Sequence, residues 1–157
     1  MRSSSIHEIK QELVTLKAVE VTALCLRLAR FKKENKELLT YLLFEAQDEQ
    51  NYIKNIKLEI QELFAEINFS HLYFAKKTLR KILRVINKHS RYSGNKQTDM
   101  ELRIFFCRQL IASGIPFRQN AVLSNIFDGQ LKKIDATMAT LHEDLQHDYR
   151  KDISALL

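Results

Sequence analysis

Residues 67–98 read INFSHLYFAKKTLRKILRVINKHSRYSGNKQT and contain no Asp or Glu. Eight cations lie in this stretch: Lys76, Lys77, Arg80, Lys81, Arg84, Lys88, Arg91 and Lys96. The whole chain has 25 basic and 19 acidic side chains, so the rest of it holds 17 basic against 19 acidic ones. The net charge of +6 therefore comes from this one segment and not from the surface in general.

The segment predicts a helix with two different faces, between Ser70, which can cap a helix start, and Gly94, which can end one. At about 100° per residue, one side collects the apolar residues Leu72, Ala75, Leu79, Ile82, Leu83 and Ile86. An arc of roughly 100° on the other side collects six cations, which we call the cationic row: Lys77, Arg80, Lys81, Arg84, Lys88 and Arg91. One face is thus expected to pack and the other to present positive charge.

The cationic row has no local neutralisation. Like charges four residues apart, such as Lys77 with Lys81, repel by about 0.2–0.5 kcal/mol per pair, and no carboxylate stands three or four residues away. Either acids of a neighbouring helix match the row or an outside anion does, and the sequence leaves both open. A membrane-surface helix fits less well, because the apolar face suits a protein core and carries no Trp.

Turn residues are scarce in this chain, which predicts the all-α class. It has 3 Gly and 1 Pro, and residues 1–93 contain neither, whereas sheets with tight hairpins need more of both. A length of 157 residues predicts a single domain over 1–157. We expect a bundle or irregular stack of five to six helices, with long first and last helices.

Local signals set the expected helix boundaries in the first half. Ser5 and Glu8 fit a capping box, opening a helix to about Phe31 with a slip in its apolar spacing near residues 19–21. Residues 36–67 fit one long helix or two helices with a tight turn at 47–51, and periodicity does not decide between them.

The second half opens with another capping box, Thr98 with Glu101, which predicts a helix to about Ala112. This helix is apolar around much of its circumference, so we expect it near the middle of the fold. After the turn at 113–116, a last helix is predicted over 117–155. Its apolar seam steps by three and four residues: Phe127, Leu131, Ile134, Met138, Leu141 and Leu145. A homodimer through the 127–145 helix is possible, although packing within the chain also explains this seam.

Cysteine use and the N-terminal sequence predict a cytoplasmic protein. Cys25 and Cys107 lie in apolar helical runs, as expected for buried free thiols in a reducing compartment. The first ten residues lack the apolar core of a signal peptide, and no apolar run approaches the roughly 18 residues of a membrane span.

Motifs for catalysis are absent from the sequence. It has no Gly-x-Ser-x-Gly, no Gly-rich phosphate loop and no Cys-x-x-Cys. Asp144 and His147 stand three residues apart, but this spacing occurs once, which favours a solvated helix end over a metal site. We therefore predict no enzyme, no cofactor and no metal.

Two runs, YFAKKTLRKILR at 73–84 and RYSGNKQT at 91–98, resemble segments of small all-helical bacterial proteins with no known activity. The resemblance is confined to the segment 73–98. It implies a bacterial cytosolic origin and carries over no functional residue.

The leading hypothesis is a non-enzymatic helical binding module whose basic helix, 76–91, contacts an anionic partner such as nucleic acid or an acidic protein. The candidate anion-binding residues are Lys77, Arg80, Lys81, Arg84, Lys88, Arg91, Tyr92 and Lys96. Tyr92 could stack on a base, or it could cover the end of its helix. The alternative is a structural or adaptor protein that acts through helix–helix self-assembly or protein partners.

Overall fold

The computed structural model describes residues 2–68 and 72–156, which form eight α-helices and no strand. The helices are α1 (Ile6–Leu13), α2 (Ala18–Phe31), α3 (Lys33–Thr40), α4 (Glu49–Ala65), α5 (Leu72–Ser93), α6 (Lys96–Ala112), α7 (Ala121–Met138) and α8 (Glu143–Ser154). The all-α class is confirmed. The expected five to six helices with long first and last members are wrong, because α1 and α8 have 8 and 12 residues.

The predicted first helix divides at residues 14–17. Its capping box is present, since the Ser5 hydroxyl accepts from the Glu8 N–H at 3.3 Å and the Glu8 carboxylate accepts from the Ser5 N–H at 2.6 Å. A second start follows where Lys17 adopts extended backbone and donates its N–H to the Glu20 carboxylate at 2.8 Å. This restart lies beside the slip in apolar spacing, so the slip marks a real boundary.

Residues 36–67 form two helices and not one. α3 runs into a π-helical turn at Tyr41–Glu45, and α4 begins after Asp48, whose carboxylate accepts from the Asn51 N–H at 3.0 Å. A side-chain cap of this kind satisfies a backbone donor that the start of a helix leaves open. This cap starts a new helix, so it explains why residues 36–67 form two helices where the apolar period fitted one helix equally well.

The basic segment forms one 22-residue helix, α5. It ends before Gly94, which has the left-handed backbone (φ +66°) that glycine adopts at low cost. The predicted cap at Ser70 lies outside the described residues. On the inner face, Ala75, Leu79 and Ile86 are buried, whereas Leu72 at the start of the helix is exposed.

The predicted last helix divides as well. α7 begins after Asn120, whose side chain accepts from two backbone N–H groups, and it ends at Met138. α8 begins after His142. The seam expected to run through 127–145 is thus shared between two helices. Its members Phe127 and Ile134 are fully buried in the core of this chain, so a homodimer through this region would have to use the partly exposed positions.

The chain separates into two compact units, Met1–Phe44 and Glu45–Leu157. In the first unit α2 packs on α3, and Tyr41 is the one described residue that is buried. In the second unit α6 packs against α4, α5 and α7, which confirms its expected central place. Its buried residues include Leu102, Phe106 and Leu110. The single domain over 1–157 stays a prediction.

Among the helices that the structure describes, none combines the length and the apolar character needed to cross a membrane.

Candidate anion-binding surface

The outer face of α5 carries the predicted cations. Side chains of Lys77, Arg80, Lys81, Arg84 and Arg91 are exposed, and Lys88 is half-buried. From Lys77 to Arg91 the row extends about 21 Å, at a rise of 1.5 Å per residue. The helix positions these residues together because steps of three and four return to one face.

Few carboxylates of the chain neutralise the row. α5 itself contains no acidic residue. Lys81 Nζ lies 3.6 Å from a Glu66 carboxylate oxygen, with both side chains more than half exposed, and such a pair contributes at most about 1 kcal/mol. Lys88 also has an interaction partner, so we do not count it among the unpaired cations.

The remaining cations face solvent without an acid. Over residues 2–68 and 72–156, no carboxylate lies within salt-bridge distance of five predicted site residues: Lys77, Arg80, Arg84, Arg91 and Lys96. Glu59 on α4 stands 3.6 Å from His89 Nε2, and this is one of its contacts. Acids of neighbouring helices therefore do not match most of the cationic row, and most of its charge faces solvent.

Tyr92 is only half-exposed, and it packs edge-on against His89 with ring centroids 5.9 Å apart. His89 Nδ1 is hydrogen-bonded to the Tyr52 hydroxyl at 2.8 Å, which ties this ring pair to α4. The geometry favours the interpretation of Tyr92 as a cover for the end of α5.

A cleft of about 410 Å³ lies where the end of α5 meets the start of α6 and the last two turns of α7. Arg91, Lys96 and Lys133 line it together with Asp99 and Arg103. Four cations therefore surround one carboxylate. Lys133 was missed from the sequence, because only tertiary packing brings α7 beside the α5–α6 connection.

The helix start in this cleft is not the predicted one. α6 begins at Lys96 after Asn95, whose side chain accepts from the Gln97 N–H at 2.9 Å. Thr98, the predicted cap, is buried and donates its hydroxyl to Glu49. The start of α6 directs its positive dipole end toward the cleft, which adds to the attraction of an anion.

Arg103, which lines the cleft, has all three of its guanidinium nitrogens engaged by the protein. Its guanidinium donates to both Asp99 carboxylate oxygens at 2.8 and 2.9 Å, to Gln130 at 2.6 Å and to Asn87 at 2.9 Å. It is 6% exposed. Arg103 is therefore a structural cation, and Arg91, Lys96 and Lys133 are the ones available to a ligand.

Two observations concern groups that catalysis or metal binding would use. Burial raises the pKa of the Cys107 thiol to about 12, and the thiolate that would act as a nucleophile is scarce at neutral pH. In the part of the chain that the structure describes, no three His, Cys, Asp or Glu side chains are grouped as metal ligands. Asp144 contacts His142 at 3.2 Å at an exposed helix start.

Comparisons of the chain with protein-family models, with curated proteins and with solved structures give no significant match.

Proposed function

We propose that this chain is a non-enzymatic binding module that holds a polyanion, nucleic acid, on the outer face of α5. The observation that carries the proposal is the exposed row Lys77, Arg80, Arg84 and Arg91, which has no carboxylate within reach in the described residues. Uncompensated cations at one helical spacing repel each other, and a line of phosphates relieves that repulsion. The cleft with Lys96 and Lys133 continues the positive surface beyond the end of α5.

Lys and Arg along one helix face contact phosphates and not base edges, so the affinity should depend on charge and shape. Released counterions make such binding fall steeply as salt rises, with a log–log slope of about −0.7 per phosphate contact on single strands and −0.9 on duplex DNA. Acidic proteins share the negative charge but lack the regular phosphate spacing, and they are the second class of partner to be tested.

The test is a fluorescence-anisotropy titration of labelled RNA and DNA at several salt concentrations. In the variant that changes Lys77, Arg80 and Arg84 to Glu, we expect at least a tenfold loss of affinity at low salt. The salt slope on single strands should become shallower by about 2, since roughly three phosphate contacts are removed.

A matched control makes the same change of charge away from α5. Lys54, Arg150 and Lys151 are exposed on α4 and α8 and line no part of the cleft. Their change to Glu should weaken binding far less than the α5 variant does. Affinity that is independent of salt, or equal losses for the two variants, would contradict the proposal.

A second candidate function, a structural or adaptor protein, is supported by the first unit. Between residues 2 and 44, thirteen large apolar side chains are exposed: Ile6, Ile9, Leu13, Val14, Leu16, Val19, Leu24, Leu26, Leu28, Phe31, Leu42, Leu43 and Phe44. Exposed apolar surface of this extent marks interaction sites. Light scattering over a range of concentrations tests the self-assembling form, and a monomer throughout would remove it.

The cytosol stays the proposed compartment. Cys25 and Cys107 are both free thiols, which is typical of proteins in a reducing compartment; Cys107 is buried as expected, whereas Cys25 is only partly buried. The bacterial origin that the sequence resemblance implies also stays a proposal.

A further inference from the structure

Tyr73 is an exposed aromatic residue that stands in line with the cationic row. It is 71% exposed on the first turn of α5. It precedes Lys77 by four residues and Arg80 by seven, and at about 100° per residue it falls within the arc that the row occupies. From Tyr73 to Arg91 the aligned face extends about 27 Å.

Packing within the unit does not account for this position. The Tyr73 ring meets the neighbouring Phe74 ring edge-on, with centroids 5.6 Å apart. The face of α5 that packs in the core is a different one, which carries the buried Ala75 and Leu79. Tyr92, the aromatic that the sequence nominated for base stacking, is engaged with His89 instead. Tyr73 and Phe74 are both exposed on α5, at 71% and 47%, and Tyr73 is the one that falls within the arc of the cationic row.

We propose that α5 binds single-stranded in preference to duplex nucleic acid, with Tyr73 stacking on one unpaired base while Lys77, Arg80 and Arg84 contact the following phosphates. This inference rests on the proposed function and narrows its ligand. A tyrosine can stack only on a base whose face is free, and in a duplex both faces are occupied by neighbouring pairs. Aromatic stacking combined with a line of cations is the general arrangement for binding single strands without sequence preference.

The absence of Trp from the sequence allows a direct test of contact. In Tyr73→Trp the new residue is the only Trp, and unlabelled oligo(U) or oligo(dT) should quench its fluorescence on binding. The quenching should saturate at the concentration that saturates anisotropy of the labelled strand. A control, Leu58→Trp, places the probe on the exposed part of α4, where we expect no quenching.

Affinity measurements then separate stacking from charge. Tyr73→Ala should lose roughly 5- to 150-fold in affinity for oligo(U), the range for removing one stacked base, and should leave the affinity for a duplex of equal length almost unchanged. Tyr73→Phe should retain the single-strand affinity, because its ring still stacks. Poly-glutamate, a polyanion without bases, should bind Tyr73→Ala and the unchanged chain equally.

Each outcome bears on one of the two proposals. If the chain binds single strands and duplex equally, and the Tyr73→Trp variant shows no quenching, the stacking inference is overturned and the polyanion function stands. If poly-glutamate competes as strongly as oligo(U), charge alone explains the binding and the inference is again overturned. If no nucleic acid binds, both fail.

Discussion

Arg103 is a single residue that ties three helices together. It lies on α6 and donates to Asn87 on α5, to Gln130 on α7 and to Asp99 one turn away on its own helix. A buried guanidinium is costly unless its donors are paired, and here four hydrogen bonds engage all three of its nitrogens. Removal of the side chain would leave Gln130 and Asn87 with unpaired oxygens beside a cavity.

We predict that Arg103→Ala lowers the free energy of unfolding by roughly 3 kcal/mol, the lower end for breaking a buried ionic network whose carboxylate is partly solvated. Arg103→Lys should not restore stability, because one ammonium cannot reproduce the planar fork that reaches three partners. Urea denaturation measures both variants.

The control is Arg108→Ala on the same helix. Arg108 pairs with Asp152 at 2.6 Å, but both side chains are nearly half exposed, so the loss should stay below about 1 kcal/mol. Equal losses at Arg103 and Arg108 would show that the buried network contributes no more than a surface ion pair.

At the scale of the element, the two faces of α5 have opposite effects on the stability of the helix. Its inner face has Leu79, Ile82 and Ile86 fully buried in the core. Its outer face places like charges one turn apart, which costs about 0.2–0.5 kcal/mol for each pair. The burial of each large apolar side chain contributes about 1.5–3 kcal/mol, so the helix forms despite the repulsion.

We predict that Arg84→Glu raises the stability of the protein while it weakens polyanion binding. The change replaces two repulsions, with Arg80 and Lys88, by two attractions, for a gain of about 1 kcal/mol at low ionic strength. Salt should remove most of the gain, because exposed charges are screened. Thermal unfolding at low and high salt provides the measurement.

Lys132 on α7 serves as the control, because its neighbours on the helix surface are acidic where those of Arg84 are basic. Asp128 precedes it by four residues and Asp135 follows by three, so Lys132→Glu should lower stability by a similar amount. If the two variants changed stability in the same direction, local charge spacing would not be the cause.

Element boundaries were predictable where a side chain caps the backbone next to it. The box of Ser5 with Glu8 was identified correctly. The stop at Gly94 was also identified, because glycine adopts left-handed backbone at low cost. The break at 139–142 was missed because the apolar spacing continues across it. The break at 14–17 was missed although a slip in the apolar spacing lies beside it. The cap at Asn95 was also missed, since Thr98 fits the same motif and is instead drawn to Glu49 from another helix.

At the scale of the whole molecule, the two compact units differ in how much they bury. Unit 2 has a core in which residues such as Phe106, Phe127 and Ile134 are inaccessible to solvent. In unit 1, of the residues described, Tyr41 alone is buried. Helices shorter than about 12–15 residues are marginal in water unless they pack, and α1 and α3 have 8 residues each.

We predict that amide hydrogens of α1 exchange fastest and those of α6 slowest in the intact chain. Exchange by local opening costs little where few apolar contacts are lost, whereas opening α6 requires the disruption of the core of unit 2. Hydrogen-exchange mass spectrometry at low protein concentration measures both regions.

The same experiment at high concentration bears on the adaptor function. If residues 2–44 gain protection as concentration rises, a second copy covers their apolar side chains. Equal protection of α1 and α6 at low concentration would contradict the predicted difference between the units.

The sequence by itself determined the all-helical class and the face of α5 that carries the cations. Both follow from local physics, because the scarcity of Gly and Pro and the 3.6-residue period act within one segment. Only the tertiary structure decided which cations lack a carboxylate partner, that Lys133 lies beside Arg91 and Lys96, and that Tyr73 is exposed while Tyr92 packs on His89. These outcomes depend on which helices pack side by side, and such contacts join residues far apart in the chain, where spacing carries no information.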